Sequence, residues 1–280
     1  MATHKPLLHP LTEDRLTRLQ KRPPHALLIA GPAGIGKTAI ARWYAANLLE
    51  TTVEKLDLHP YFFEISPIDS KAIGVEAVRE LEHVISLKTT SSSAVGRVVI
   101  INNAHLLTIE AQNALLKTLE EPPEGTVLIL TGAQQHALLP TIQSRVQQLE
   151  VTRPTQEALG GALPKGSAQL LALSGGLPGL AFALAKDDQD HPLVNAAQTA
   201  RQLLQQSSFE KLCQVDALSK NKEASRNLIY ILMQMAHAAL VAGKGSSRWQ
   251  KILQATYDAD TALNRGTQPK LVLTSLMLNL

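Results

Sequence analysis

At 280 residues with 45% apolar and 18% charged content, the chain is long enough for two or three compact domains with cores of their own. A formal net charge of +3 is too small an excess to argue for nucleic acid, and the single cysteine, Cys213, excludes a disulfide framework and a cysteine-based zinc module. No apolar run reaches about 18 residues, and the start "MATHKPLLHPLTEDRL" lacks the layout of a signal peptide, so a soluble, cytoplasmic protein without membrane contact is expected.

In chain order, "HALLIAG" (25–31) is a short apolar run ending in glycine, and "TAIARWYAANLL" (38–49) has helical spacing through Ile40, Trp43, Tyr44 and Leu48. "PYFFEIS" (60–66) reads as a strand. "SKAIGVEAVRELEHVISL" (70–87) is predicted to be a helix with Ile73, Ala77, Leu81 and Val84 on one stripe. A buried strand "GRVVIIN" (96–102) leads to the helix "TIEAQNALLKTLEEPP" (108–123), with Thr108 as N-cap and a proline stop. "TVLILTG" (126–132), "LPTIQSR" (139–145) and "VQQLEV" (146–151) give strand, short helix and strand. Continuous apolar strands interleaved with helices imply a parallel sheet covered on both faces. After Arg153-Pro154 the texture turns helical. "SAQLLALSGGLPGLAFALAK" (167–186) is broken at Gly175-Gly176, and leucine- and alanine-rich helices follow from about residue 190, two of them joined by "GKGSS" (243–247). The expected division is 1–152, 153–189 and 190–280.

Residues 31–38, "GPAGIGKT", fit the phosphate-loop pattern G-x-x-x-x-G-K-[ST] between a predicted strand and a predicted helix. Gly31, Pro32, Ala33, Gly34, Ile35 and Gly36 would present backbone N–H groups to phosphate. Lys37 would reach the β- and γ-phosphates, and Thr38 is the candidate Mg²⁺ contact. The plain alternative is a glycine-rich turn without a ligand. Enzymes with this loop end a second strand in an aspartate for the metal and a glutamate for the attacking water. Here the run "VVIINNAHLL" (98–107) puts Asn102 and Asn103 there, and an amide neither carries charge nor accepts a proton at neutral pH.

The stretch "RVVIINNAHLLTIEAQNALLKTLEEPPEGTVLILTGAQQHALLPTIQSRVQQLEV" resembles the clamp-loader branch of the AAA+ proteins. "AQNALLKTLEEPPEGTVLIL" is close to a signature of the bacterial DNA polymerase III delta-prime subunits and their tau/gamma paralogues. "PPHALLIAGPAGIGKTAIARWYAANLL" and the His59-Pro60 pair are similar as well. "SGGLPGLAFAL" resembles the lid helix, and "ALNRGTQPKLVLTSLMLNL" the last collar helix. The resemblance spans most of the chain and is densest over 23–152. It implies an α/β AAA+ domain, a small helical lid and an all-helical collar. It also implies a stator role in a hetero-pentamer with tau/gamma and delta subunits, which opens a sliding clamp on primed DNA with ATP. On that resemblance Thr131 occupies the sensor-1 position, and Ser144-Arg145 would supply an arginine finger to a neighbouring ATPase. A catalytically active tau/gamma-like motor and a non-catalytic scaffold are the other two readings.

Four departures stand out: no cysteine in "ETTVEKLDLHP" (50–60) where the family carries a zinc cluster, the pair Asn102-Asn103, Leu180 at the sensor-2 position, and Val146 after Ser144-Arg145. The implied cofactor is therefore ATP or ADP, with Mg²⁺ through Thr38, and no zinc. His105 and the Glu120-Glu121 pair read as solvated, Met233 and Met235 as core fillers, and Lys244, Arg248 and Lys251 as a solvated basic cluster.

Overall fold

The computed structural model describes residues 5–67, 72–86, 95–132, 138–164, 168–186, 191–241, 243 and 247–280. Two compact units divide the chain, Met1–Pro154 and Thr155–Leu280.

In the first unit, β1 (Ala26–Ala30), β2 (Phe62–Ile65), β3 (Arg97–Ile101), β4 (Thr126–Gly132) and β5 (Gln147–Glu150) form one sheet in the order β2-β3-β4-β1-β5. Every pairing is parallel. All residues of β1, β3 and β4 are buried, which is why these strands are continuously apolar rather than alternating. The edge strand β5 buries one residue of four. Helices α1 (Pro10–Lys21), α2 (Lys37–Leu48), α3 (Val75–Ser86), α4 (Ile109–Glu120) and the short α5 (Pro140–Gln143) connect and cover the strands. One face packs Leu28, Val99, Ile101, Leu128 and Leu130 against Val78, Leu81 and Ile85 of α3 and Leu115 and Leu119 of α4. Each such side chain, once buried, contributes about 1.5–3 kcal/mol. The other face is met by α2, against which α1 rests, the Tyr44 hydroxyl donating to the Leu19 carbonyl at 3.0 Å.

Two expectations need correction here, and one helix is added. Helix α3 begins at Val75, so Ile73 lies ahead of it, in a lone parallel bridge to Leu107. Its buried stripe is Val78, Leu81 and Ile85, one residue round from the predicted one, because Gly74 separates Ile73 from the helix. Residues 70, 71 and 87 of that segment lie outside the described residues. Helix α1 was not expected from the sequence. It starts on the N-cap His9, whose Nδ1 accepts from the Leu11 N–H, with Pro10 at its first position.

Among its described residues the second unit contains only helices: α6 (Gln156–Ala162), α7 (Ala168–Ser174), α8 (Pro178–Lys186), α9 (Pro192–Gln205), α10 (Ser208–Ser219), α11 (Lys222–Val241), α12 (Ser247–Asn264) and α13 (Pro269–Asn279). Helix α11 packs on α7, α9 and α12, and α13 on α10 and α12. The chain turns between α7 and α8 through Gly175 and Gly176, both at positive φ. Helix α10 went unread, although Ser207 and Glu210 form a reciprocal capping box at its start. Met233 and Met235 are half-buried rather than core residues.

Candidate functional site

The register of the sheet builds the site. Ile65 of β2 stands opposite Ile101 of β3, and Ile101 opposite Leu130 of β4. The next residues, Ser66, Asn102 and Thr131, therefore emerge in a row at the carboxyl edge, where open parallel sheets bind ligands. Ala30 of β1 pairs with Gly132, so Gly31 starts the phosphate loop beside them, its N–H donating to the Gly132 carbonyl at 3.3 Å.

The loop closes onto α2 through Gly36, whose φ of 94° is open to glycine at no steric cost. The N–H groups of Gly34, Gly36, Lys37 and Thr38 donate to no backbone carbonyl among the described residues, so they are open to an acceptor. Lys37 is turned back on its own loop. Its Nζ donates to the carbonyls of Gly31 and Pro32 at 2.9 and 3.0 Å. Burial pushes its ammonium down to about 8, since nothing negative offsets the lost hydration.

Asn102 is the hub, 4% exposed. Its Oδ1 accepts from the hydroxyls of Thr38 at 3.0 Å and Thr131 at 3.2 Å. Its Nδ2 donates to Glu64 Oε1 and, at 3.1 Å, to Ser66 Oγ. Thr131 in turn accepts the Asn103 N–H at 3.0 Å. Asn103 sits at φ 50°, a conformation that asparagine tolerates better than most residues. The two amides thus do different work: Asn102 ties four side chains together, whereas Asn103 enters through its backbone.

Behind Glu64 stands Arg42, one helical turn beyond Thr38 on α2. Its Nη1 donates to Glu64 Oε2, and its Nη2 to both oxygens of Asp57 at 2.8 Å. Burial lowers the guanidinium's pKa, but hydrogen bonding to Asp57 and the charges of Glu64 and Asp57 outweigh this and leave it above its ordinary value. Asp57 belongs to a 3₁₀ turn, Val53–Leu58, so the cysteine-free segment after α2 is fastened to the helix by charge.

Arg145 lies elsewhere in this unit, just past α5. Its Nη2 pairs with Glu120 Oε1 at 2.7 Å, and its Nη1 donates to the Thr141 carbonyl at 2.9 Å and to Ser144 Oγ at 3.2 Å. Its own carbonyl meets the His25 ring at 3.1 Å. Glu120 and Glu121 are exposed at the end of α4, the solvated helix end expected, and Glu120 in addition pairs with Arg145. His105 is half-buried in a 3₁₀ turn, Ala104–Leu106, rather than solvated. Val146 and Leu180 are both buried core residues. Arg248 donates to the Leu204 carbonyl at 2.9 Å, and Lys244 lies outside the described residues. Among the described residues no group of three or more His, Cys, Asp or Glu could hold a metal, and no helix is long and apolar enough to cross a membrane.

Over residues 13–155, just more than half its length, the sequence matches the family described as "DNA polymerase III, delta subunit". The chain belongs to that family. Among relatives of this clamp-loader family, the DNA polymerase III subunit delta' of Pseudomonas aeruginosa is 40% identical over 178 residues, covering 55% of this chain and 53% of that one. The subunit delta' of Escherichia coli is 32% identical over 206 residues, 65% of this chain and 61% of that one. The subunit tau of Bacillus subtilis is 35% identical over 159 residues, 52% of this chain and 28% of that one. In each case the match spans less than two thirds of the relative's length. A DNA polymerase III gamma subunit-related protein of Thermotoga maritima shares the fold at a TM-score of 0.57 and 18% identity, with 95% of this chain and 97% of that one covered. Its sequence is thus delta-prime-like, and its fold is that of the gamma subunit-related protein.

Placed against the residues expected of this family, Lys37, Thr38 and Thr131 converge on one edge of the sheet, and Ser144 and Arg145 form a separate corner. Glu64, Arg42 and Ser66 were missed. Each had a legible signal: Glu64 and Ser66 are two apart in and just past β2, and Arg42 is four residues from Thr38 on a helix.

Proposed function

We propose that the chain is a stator-type subunit of the replicative clamp loader, assembling with tau/gamma and delta subunits in the cytoplasm to place a sliding clamp on primed DNA. The observation that carries this reading is the hub at Asn102. Where a hydrolytic site would hold a metal ligand and a base, this one has an amide whose donors and acceptors are already engaged. Such a site can bind ATP or ADP through the loop N–H groups and Lys37, but it offers no group to activate water, an effect worth about 10²–10⁴ in rate. Residues 153–189 then serve as the lid and 190–280 as the collar through which the subunits assemble.

Arg145 is the residue this subunit gives to its neighbour. A guanidinium has a fixed charge and a planar fork of donors suited to the equatorial oxygens of a phosphoryl group in transfer, and a finger supplied in trans raises turnover by about 10³–10⁵. Ser144 steadies it through the bond to Nη1. In a loader reconstituted with tau/gamma, Arg145→Ala should leave assembly intact and lower the partner's ATPase and clamp-loading rates. Wild-type loading by an assembled mutant would leave only the scaffold role. The intact "GPAGIGKT" favours a second reading, an active motor. Turnover by the isolated chain that Lys37→Ala abolishes would establish it.

A further inference from the structure

We propose that this site takes its nucleotide without a divalent cation. The proposal rests on the nucleotide-binding reading above and concerns what the site does with the ion that usually accompanies the phosphates. Magnesium binds oxygen donors, and in phosphate sites it is bound through one or two carboxylates plus substrate oxygens. The oxygens grouped near Thr38 do not meet that need. Asn102 Oδ1 carries no charge, and both its lone pairs receive hydroxyl protons, from Thr38 and Thr131. Thr131 Oγ1 donates to Asn102 and accepts from the Asn103 N–H. Ser66 Oγ receives the Asn102 amide.

The carboxylate nearest this hub among the described residues is Glu64, and it is already committed on both oxygens, Oε1 to Asn102 and Oε2 to Arg42. Its side chain is 18% exposed, so that pairing is shielded from water, and Arg42 is a fixed positive charge on the side from which a dication would need help. Glu64 also settles which way the Asn102 amide faces. Rotating it would set Oδ1 against a carboxylate oxygen and Nδ2 against two hydroxyls. The acid absent at position 102 has a counterpart one strand away, and there it fixes the hub instead of facing the phosphates. The polyphosphate keeps its own attractions, the free N–H groups of the loop and the Lys37 ammonium, neither of which requires a metal.

The test is calorimetric titration of ADP into the full chain, once in excess EDTA and once in excess Mg²⁺, with the Mn²⁺ electron-spin signal as a second readout. ADP should bind several-fold more tightly in EDTA than in excess Mg²⁺, which competes for the nucleotide, and added protein should draw ADP off Mn²⁺ and move its spectrum toward that of the free ion. Exchanging acid and amide, Asn102→Asp with Glu64→Gln, keeps the charge count and the hydrogen-bonding hub but turns the carboxylate toward Thr38. In that variant Mg²⁺ should tighten ADP by about tenfold or more. Tight binding by the wild-type chain in Mg²⁺ alone overturns the proposal while leaving nucleotide binding in place. No binding in either buffer overturns both. A folded exchange variant whose ADP binding Mg²⁺ does not tighten overturns the assignment to Asn102 and Glu64. Should the variant fail to fold, the wild-type comparison decides by itself.

Discussion

Around Asn102 every hydrogen-bonding position of a buried amide is filled by a named partner, whereas around Arg145 a guanidinium 35% exposed is held by contacts that water could replace. Both clusters belong to the same α/β unit, the first at the carboxyl edge of the sheet and the second just ahead of β5, at the amino edge. The first is shielded, so each of its bonds is costly to leave unmade, with a penalty of about 1–3 kcal/mol for an orphaned group. The second pairs two side chains that still touch solvent, and such pairs contribute about 0–1 kcal/mol. A site that keeps its shape needs the first kind of environment. A side chain that must leave its resting place for a neighbour's phosphate needs the second.

The sharpest way to break this contrast is Asn102→Asp. A carboxylate at 102 would face Glu64 Oε1 and lose the amide's donors, so the variant should be less stable than wild type by about 3 kcal/mol near pH 8. One of the two acids would then hold its proton more firmly folded than unfolded, so the loss grows as pH rises and shrinks toward pH 4. Urea denaturation across that range measures it, and a pH-independent loss would mean that the two acids do not meet.

Lys37 gives the next largest effect. Its folded-state value, about 8, lies below the ordinary 10.5, so the unfolded chain binds the proton more firmly. Wild-type stability should therefore rise between pH 8 and 10.5, by about 2 kcal/mol once its two carbonyl bonds are allowed for. Lys37→Met should lack that rise. ADP binding should also take up a proton above pH 8, visible as a dependence of the calorimetric heat on buffer ionisation.

Glu64→Ala should cost about 1–2 kcal/mol, because Asn102 Nδ2 keeps only Ser66 and Arg42 keeps only Asp57. A thermal melt within error of wild type would show that the hub does not depend on its acid. The smallest change belongs to the exposed corner. Glu120→Gln should alter the stability of the isolated chain by less than about 0.5 kcal/mol, with whatever remains fading in high salt. A loss as large as that of Glu64→Ala would mean the Arg145 corner is structural.

Much of the α/β unit was readable because its central strands are buried on both faces and so are written as unbroken apolar runs, while Thr108, Pro140 and Gly36 mark helix ends by chemistry that acts locally. Thr131 and Lys37 were readable for the same reason: each sits at a fixed offset from a strand or loop that declares itself. Glu64 was not. Its meaning depends on parallel pairing between β2 and β3, residues 38 apart in the chain, and nothing local to "FFEIS" distinguishes a carboxylate that orients an amide from one that faces water. The pairing of Glu120 was hidden similarly, since its partner Arg145 arrives through the turn after α4, the strand β4 and the helix α5. The slip at α3 had another cause. A helical stripe was extended through Gly74, and the residue ahead of it found a different buried place.

The Arg42 anchor of the Val53–Leu58 turn carries a physiological corollary. Thiolate-held segments loosen when oxidants or chelators remove their fastening, and they are largely indifferent to the ionic milieu. A guanidinium gripping Asp57 and Glu64 inverts that profile: peroxide and chelators find nothing there to attack, while a rise in salt weakens the grip. The same arginine reaches Asn102 through Glu64, so ionic stress on this outer turn would be felt at the mouth of the phosphate loop.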